Sequence, residues 1–363
     1  MNPIFLYMIG LMRYIFFSFV CYFLYLLTYS GIILAEKIDL IESEDITIIA
    51  FGSCNDQSLS QSFWKNIQAY KPDVFLQIGD NVYAKNKNLI SLIDAYKDLK
   101  NNIYYQNFSL NTEIIGIWDD HDYGKNDGGK NYKDKYESKN IFLNFFEINK
   151  NDERYFREGL YKEYILNDKN KYIQIIILDT RFFKSDFKAT NKINTKGKER
   201  YIPDFSEDKT ILGNKQWEWF EEQLKKKVDL RIIVSSFQVL PKDHGWEKWG
   251  NFPLEQRKLY SLINNTNHPY TLIISGDRHV GALYKKELSN NINIYELTSS
   301  SLNKPLKFKV EEQDSMQIGD LVVSENFGLI SIDWAQSIIS LQLKSPYSTK
   351  TNSLLRKDIL FNN

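Results

Sequence analysis

The chain has 363 residues, and its 46 Lys and Arg residues are balanced by 46 Asp and Glu residues. This balance argues against a nucleic-acid-binding protein and against a protein held on an anionic membrane surface, because both need an excess of positive charge. We therefore expect a small molecule as the partner and a monomer as the oligomeric state.

An uncharged apolar run, residues 14–34, follows Arg13 near the N-terminus. Its length lies at the border between a signal-peptide core and a membrane-spanning helix. The sequence therefore predicts either a signal peptide over residues 1–35 or a retained anchor that tethers the protein to a membrane. Both alternatives predict an exported protein that is periplasmic, secreted or membrane-anchored facing outside the cytosol. Residues 36–363 are long enough to form one large domain.

Predicted strands and helices alternate along this domain. Apolar runs bounded by turn residues predict buried strands at Ile46–Phe51, Val74–Ile78, Ile114–Trp118, Tyr172–Leu178, Arg231–Ser235 and Thr271–Ser275. Apolar residues at three- and four-residue spacing predict helices at Ser60–Tyr70, Glu137–Phe146, Lys215–Val228 and Leu254–Ile263. This alternation predicts an α/β layered fold.

The C-terminal part has a different pattern, with strand-like runs and no long helix between them. The runs are Ile292–Leu297, Gly328–Trp334 and Ser337–Leu343. They predict a second sheet packed on the first. Polar stretches that are poor in apolar residues predict solvated loops at Lys85–Leu92, Lys184–Tyr201 and Asn303–Gln317.

Residues that can bind metal ions follow four of the predicted strands, where ligand sites usually lie in open α/β sheets. In chain order they are Cys54, then Asp80 and Tyr83, then Asp119, Asp120, His121 and Asn126, and finally Asp277 and His279. Each has an ordinary explanation alone, since a Gly-Asp pair is usually a turn and a single Cys or Tyr usually packs in a core. Core packing does not explain four strand ends that all carry potential ligands, so together they predict a metal site.

The residue types divide into two unlike sets. Cys54, Tyr83 and His279 with a carboxylate suit Fe(III), or otherwise Zn2+. Asp120, Asn126 and Asp277 offer only oxygen atoms, which suit Ca2+, Mg2+ or Mn2+. Asp80 is the candidate bridge between the sets. Two cations that share a bridge can bind one ester phosphate and activate water, which is the chemistry of phosphoester hydrolysis.

The motifs FGSCND, QIGDNVYA, WDDHDYGKNDGG, LDTRFF, WEWFEEQL and SGDRHVG occur in this order between about Ile46 and Ser301. In these motifs the chain resembles the alkaline phosphatase D (PhoD-like) branch of the calcineurin-like metallophosphoesterases. The resemblance implies a two-sheet β-sandwich flanked by α-helices, in four αββα layers, with a dinuclear metal centre at the strand ends. The twin-arginine leader of some members is absent.

The resemblance also implies roles for individual residues. The family's metal ligands fall on Cys54, Asp80, Tyr83, Asp277 and His279. In the third motif Asp119, Asp120 and Asn126 are all candidates, and Asp120 and Asn126 are favoured. His121 matches the histidine that contacts the phosphate and assists the leaving group, with Asp119 orienting it. As an alternative, His121 caps a turn. Arg181 in LDTRFF is expected to form an internal ion pair with a carboxylate rather than to reach a phosphate.

We therefore expect a metal-dependent hydrolase of phosphate monoesters, phosphate diesters or both. Its cofactors are expected to be two or more metal ions, Fe(III) with Ca2+, or else Zn2+, Mn2+ or Mg2+. The alternative is a non-catalytic surface protein that binds metal or phosphate on the same fold. His121 argues against the alternative, because a purely structural metal site has no need of a histidine beside an open coordination position.

Overall fold

The computed structural model describes residues 40–42, 48–168, 170–268, 270–306, 312–348 and 353–361. These residues belong to one compact unit, Leu40–Asn363. The predicted signal peptide or anchor over residues 1–35 lies outside the described residues. Within the described ranges, no helix is both long enough and apolar enough to cross a membrane.

The larger sheet has eight strands. In spatial order they are β1 (Leu40–Glu42), β5 (Lys162–Asp168), β6 (Lys171–Ile177), β9 (Leu230–Ser235), β10 (Thr271–Ser275), β12 (Asn293–Ser299), β11 (Gly281–Glu287) and β13 (Gln317–Val322). The central strands β6, β9, β10 and β12 are parallel to one another. Their carboxyl ends therefore lie at one edge of the sheet.

The smaller sheet has six strands. In spatial order they are β16 (Leu355–Leu360), β15 (Ile338–Lys344), β14 (Phe327–Asp333), β2 (Ile48–Gly52), β3 (Val74–Ile78) and β4 (Glu113–Ile117). Strands β2, β3 and β4 are parallel, whereas β14, β15 and β16 pair antiparallel. A separate two-stranded hairpin consists of β7 (Lys188–Ala189) and β8 (Tyr201–Ile202).

Seven α-helices are described: α1 (Phe63–Gln68), α2 (Leu89–Lys100), α3 (Ile103–Ser109), α4 (Asp120–Tyr123), α5 (Lys135–Phe145), α6 (Gly213–Leu224) and α7 (Pro253–Asn265). Two 3-10 helices span Glu153–Tyr155 and Trp249–Asn251.

The central strands of the two sheets, such as β3, β9 and β10, are buried on both faces, which explains why they read as nearly continuous apolar runs. Side chains alternate along β6, so Ile175 packs in the core that the two sheets share, while Ile176 packs with α6 and α7. Apolar residues of α1, α2, α3 and α5 pack on the smaller sheet, for example Trp64 and Phe108. The predicted four-layer αββα sandwich is confirmed.

Two predictions about secondary structure are wrong in part. The run Ile292–Leu297 was expected in the same sheet as the two runs that follow it, but β12 pairs with β10 and β11 in the larger sheet. Apolar periodicity does not encode which sheet a buried strand joins. The expected loop Lys85–Leu92 ends in a helix, because α2 begins at Leu89 and Asn88 caps it by accepting a hydrogen bond from Ser91.

The two sheets meet at the edge where their parallel strands end. Just beyond β2, Ser53 forms an isolated bridge with Ser300, which follows β12. This contact brings the ends of β2, β3 and β4 next to the ends of β9 and β10. All four motifs that carry candidate ligands therefore reach one region.

Candidate metal centre

The loops after β2, β3, β4 and β10 bring most of the candidate ligands together. Three groups of potential ligand atoms, each within 4.8 Å of one another, are Cys54 with Asp80 and His279, Asp80 with Asp120 and His121, and Asp119 with Asp120 and Asp277. The first two groups share Asp80, and the last two share Asp120. The groups therefore form one continuous cluster.

The backbone at the cluster adopts an uncommon conformation. Cys54, Asp80, Asp277 and His279 have φ angles of 58°, 48°, 69° and 56°. Residues other than glycine rarely occupy this left-handed region, and such strain persists where surrounding contacts enforce it, often at functional sites. Next to Asp80, Gly79 has a φ of 110°, and a Cβ atom there would lie 2.5 Å from Cβ of Asp119. Glycine is therefore required where the ends of β3 and β4 approach each other.

On the thiol side of the cluster, Cys54 is fully buried. Its Sγ lies 3.7 Å from Oδ2 of Asp80 and 3.2 Å from Oγ of Ser300. The Tyr83 hydroxyl donates to the same Asp80 oxygen at 2.6 Å and lies 3.3 Å from Nε2 of His279. Burial, and then the Asp80 charge, raise the pKa values of the Cys54 thiol and the Tyr83 phenol. A cation bound here would favour their ionised forms.

His279 presents one nitrogen to the cluster. Its Nδ1 contacts the backbone carbonyl of Lys304, which can only accept, so Nδ1 carries the hydrogen and Nε2 keeps a lone pair. Burial lowers the pKa of His279 to about 4, so the ring is neutral at pH 7. Neutral imidazole is the form that binds metal ions.

On the oxygen side, two buried carboxylate oxygens have no hydrogen-bond partner, Oδ2 of Asp119 and Oδ1 of Asp120. The other oxygens are occupied: Oδ2 of Asp120 accepts from the Asp127 backbone at 2.6 Å, and Oδ1 of Asp119 accepts from Arg181 Nε at 2.5 Å. Burial, followed by neighbouring carboxylates, raises the pKa of Asp80 to about 8 and also raises the pKa of Asp120 and of Asp277. Unpaired buried carboxylates are costly unless a cation accompanies them.

Arg181 is a permanent cation beneath the cluster. It is fully buried, donates to Asp119, and donates to both oxygens of Glu247 at 2.7 and 2.5 Å. Its Nη2 is 4.0 Å from Asp277. The internal ion pair predicted for Arg181 is therefore present. The buried Lys184 lies 3.6 Å from Glu247 and adds a second positive charge. These two cations do not balance the carboxylates around them, so the donor set fits additional cations.

His121 lies on the partly exposed side of the cluster. Its backbone N–H donates to Oδ1 of Asp80 at 3.1 Å, and its ring centroid is 4.3 Å from that of Tyr83. The expected contact with Asp119 is not among the described hydrogen bonds of His121. Asp119 instead accepts from Arg181 and from the hydroxyl of Ser236.

Asn126 differs from the other candidate ligands in its exposure. Its side chain is exposed, and no described hydrogen bond connects it to the acidic residues. The next residue, Asp127, has a φ of 52° and turns back, so its carboxylate lies within 4.8 Å of Asp120 and Glu247. Asp127 also accepts from Arg200 at 2.7 Å.

Comparison with known proteins identifies the family. The family model for PhoD-like phosphatases matches residues 49–329. The chain belongs to the PhoD-like phosphatase family. No curated protein sequence matches the chain significantly. The matched range contains every candidate ligand, so membership and the ligand groups together support a metal-dependent phosphoesterase.

Three solved structures share the fold of this PhoD-like chain. A structure of PhoD is 13% identical with a TM-score of 0.65, covering 87% of this chain and 69% of that one. GAP50, described as the anchor in the inner membrane complex of Plasmodium, is 12% identical with a TM-score of 0.54, covering 87% and 90%. A dimetal phosphatase from Danio rerio is 9% identical with a TM-score of 0.52, covering 88% and 100%.

Sequence reasoning missed several residues of this PhoD-like site. Glu247 lies in the Trp-rich loop before the second 3-10 helix, and Ser236 and Ser300 are small polar residues that follow β9 and β12. The sequence signal that could have found Glu247 is the Trp-rich stretch around it, with Trp246 and Trp249. His244 is buried, and its Nε2 lies 3.0 Å from the side-chain oxygen of Gln238, so it has a structural contact.

Proposed function

We propose that this PhoD-like chain is a phosphoric ester hydrolase with a dinuclear metal centre, acting on phosphate monoesters, diesters or both. The observation that carries the proposal is the shared position of Asp80. Its carboxylate belongs both to the group with Cys54 and His279 and to the group with Asp120 and His121. A carboxylate shared by two ligand groups is suited to bridge two ions.

The thiol side is proposed to hold Fe(III), or otherwise Zn2+, through Cys54, Tyr83 and His279. Thiolate, phenolate and imidazole form a set that suits such ions. Tyr83 supports this assignment through its position, because its hydroxyl lies close to both Asp80 and His279.

The oxygen side is proposed to hold Ca2+, with Mg2+ and Mn2+ as alternatives, through Asp120 and Asp277. Asp119 is proposed as the third ligand in place of the exposed Asn126, because its Oδ2 is buried and has no hydrogen-bond partner. Hard divalent cations prefer such carboxylate oxygens.

When bound, a pair of metal ions supplies Lewis acidity toward an ester phosphate and toward water. The chain supplies the rest of the site. His121, partly exposed at the cluster, is proposed to contact the phosphate and to donate a proton to the leaving oxygen. Arg181 is proposed to hold Asp119 in place and to offset part of the negative charge beneath the substrate.

The protein is also proposed to work outside the cytosol, either after removal of residues 1–35 or tethered through residues 14–34. The uncharged apolar run supports this proposal. Its test is the location of the protein in cell fractions, with the N-terminal residue of the recovered protein determined by sequencing. A protein that stays in the cytosol with an intact N-terminus contradicts it.

The test of the proposed activity is reconstitution. Purified protein is stripped with a chelator, reloaded with Fe(III) and Ca2+ or with the alternative ions, and assayed with chromogenic phosphate mono- and diesters. Hydrolysis that returns with metal and is absent in the stripped protein supports the proposal. A folded, metal-loaded protein that hydrolyses no ester with any pair of ions contradicts it.

The alternative is a non-catalytic metal- or phosphate-binding surface protein. One fold neighbour, GAP50, is described as the anchor in the inner membrane complex of Plasmodium. The same reconstitution distinguishes the two functions, because the alternative predicts metal binding and phosphate binding without turnover.

A further inference from the structure

A region with many positive charges lies at the edge of the larger sheet opposite the metal centre. A cavity of about 550 Å³ is lined by the last turns of α6 and α7, by residues that follow these helices, and by Arg231 near the start of β9. Ser236, which contacts Asp119, follows the other end of the same strand. At about 3.3 Å per residue, the strand separates Arg231 from Ser236 by roughly 17 Å. The cavity is therefore distinct from the metal centre.

Arg231 is fully buried and incompletely paired. Its Nε donates to Gln174 at 2.6 Å, and its Nη2 donates to the backbone carbonyls of Leu224 and Lys226 at 3.0 and 3.1 Å. These contacts explain how the guanidinium caps the end of α6. They leave Nη1, which is buried and has no hydrogen-bond partner. A buried charged donor without a partner is costly, and an anion in the adjoining cavity would offset part of that cost.

Three consecutive lysines, residues 225–227, add positive charge to the cavity. Lys225 pairs with Glu222, but both side chains are about two-thirds exposed (66% and 65%), so this pair is weak in solvent. Lys226 pairs with Glu163. Lys227 is exposed and has no ion-pair partner among the described residues. The cavity thus holds charge that its surroundings do not fully balance.

The remaining lining indicates the size and type of ligand. Glu221 is the acidic residue of the lining, and His268 uses its Nε2 in a contact of 2.7 Å with the carbonyl of Val228. Leu224 and Leu262 contribute apolar surface beside the cations. The volume falls within the range of small-molecule sites, and apolar surface with a few cationic groups suits a phosphate attached to an organic group.

We propose that this cavity binds a small phosphate-bearing organic anion, with the exposed Lys225 and Lys227 contacting the phosphate and the buried Arg231 adding positive charge from behind the cavity wall. The site lies on the face of the larger sheet that carries α6 and α7, and it does not depend on the metal centre. The protein therefore has a second place for a phosphorylated ligand, separate from the place where an ester would be hydrolysed.

The test uses phenylphosphonate. Its phosphorus is bonded directly to carbon, so the compound is not an ester. Full-length, metal-loaded protein is studied by hydrogen–deuterium exchange and by calorimetry. We expect phenylphosphonate to protect residues 225–228 and 265–268 in addition to the loops of the metal centre. The double variant Lys225→Gln/Lys227→Gln should lose this protection and bind at the cavity about tenfold more weakly, while hydrolytic activity is unchanged.

The matched control is Lys65→Gln/Lys97→Gln, which removes the same charge from exposed lysines of α1 and α2. It should keep the protection. Arg231→Gln should also lose it, and the lysine variant decides the question should Arg231→Gln fail to fold. Protection restricted to the metal-centre loops, or equal binding by the lysine variant and the control, would overturn the proposal.

Discussion

The Tyr83 hydroxyl donates a hydrogen bond of 2.6 Å to Oδ2 of Asp80. The same oxygen lies 3.7 Å from the sulfur of Cys54, whereas Oδ1 accepts from the backbone of His121. One carboxylate thus has its two oxygens directed to the two sides of the cluster. The consequences of this division can be measured by removing the charge of Asp80.

Asp80→Asn should remove both metal ions together and reduce hydrolysis to the background rate. An amide offers one neutral oxygen in place of two charged ones, so neither side keeps its shared ligand. Metal content measured by emission spectroscopy checks this result, with Asp98→Asn on the exposed face of α2 as the control. Two ions retained per chain in Asp80→Asn contradict the bridging assignment.

Cys54→Ser should weaken binding on the thiol side selectively. A hydroxyl is a much poorer ligand than a thiolate for Fe(III) or Zn2+, whereas the oxygen side has no thiol to lose. Iron bound through Cys54 and Tyr83 should colour the protein, and the substitution should shift or abolish the visible absorption. Colourless wild-type protein that contains zinc would instead assign Zn2+ to this side.

His121→Asn should reduce kcat by about a hundredfold to ten-thousandfold, the usual contribution of a general acid, with both metal ions retained. The backbone contact from residue 121 to Asp80 does not need the imidazole. Steady-state kinetics and metal analysis of the same sample separate the two effects. His268→Asn is the control, since His268 lines the remote cavity. Full activity of His121→Asn would show that His121 only caps the turn and takes no part in catalysis.

Glu247→Gln should lower the free energy of unfolding by about 3 kcal/mol, because it leaves the buried Arg181 with less negative charge beside it. The exposed pair of Glu222 and Lys225 provides the control, and Glu222→Gln should change stability by less than about 0.5 kcal/mol. Urea unfolding of the two variants gives both values. Equal effects would show that the Arg181–Glu247 pair contributes little to stability.

Metal removal should make stability depend on pH. In the metal-free protein the pKa of Asp80 is raised to about 8, above its usual value of 3.8, so the folded state holds a proton that the unfolded state has lost. The stability of the stripped protein should therefore fall as pH rises from about 4 to about 8. Bound ions keep the carboxylate ionised and remove this dependence.

Thermal unfolding at pH 5 and pH 8, with and without chelator, measures this effect. We expect the difference in Tm between loaded and stripped protein to widen by about 5 °C at the higher pH. A difference in Tm that stays constant or narrows as pH rises contradicts the assignment of Asp80 to the metal centre.

The sequence by itself determined the strands that carry the site and most of the side chains at their ends. Val74–Ile78 and Thr271–Ser275 were predicted with the bounds that the structure gives, because strands buried on both faces are continuous apolar runs ended by turn residues. Asp80 and Asp277 follow these strands in the chain, so connectivity fixes their positions at the strand ends. Parallel strands place such residues at one edge, so a cluster follows from local pattern and topology.

The tertiary structure alone decided which distant residues complete the cluster. Glu247 reaches Arg181 across 66 residues of sequence, and no local periodicity encodes that contact. Asp127, whose φ is positive, brings its carboxylate within 4.8 Å of Asp120, and such side-chain direction in a turn depends on backbone torsion. The sheet that β12 joins depends in the same way on packing between segments that are far apart in the chain.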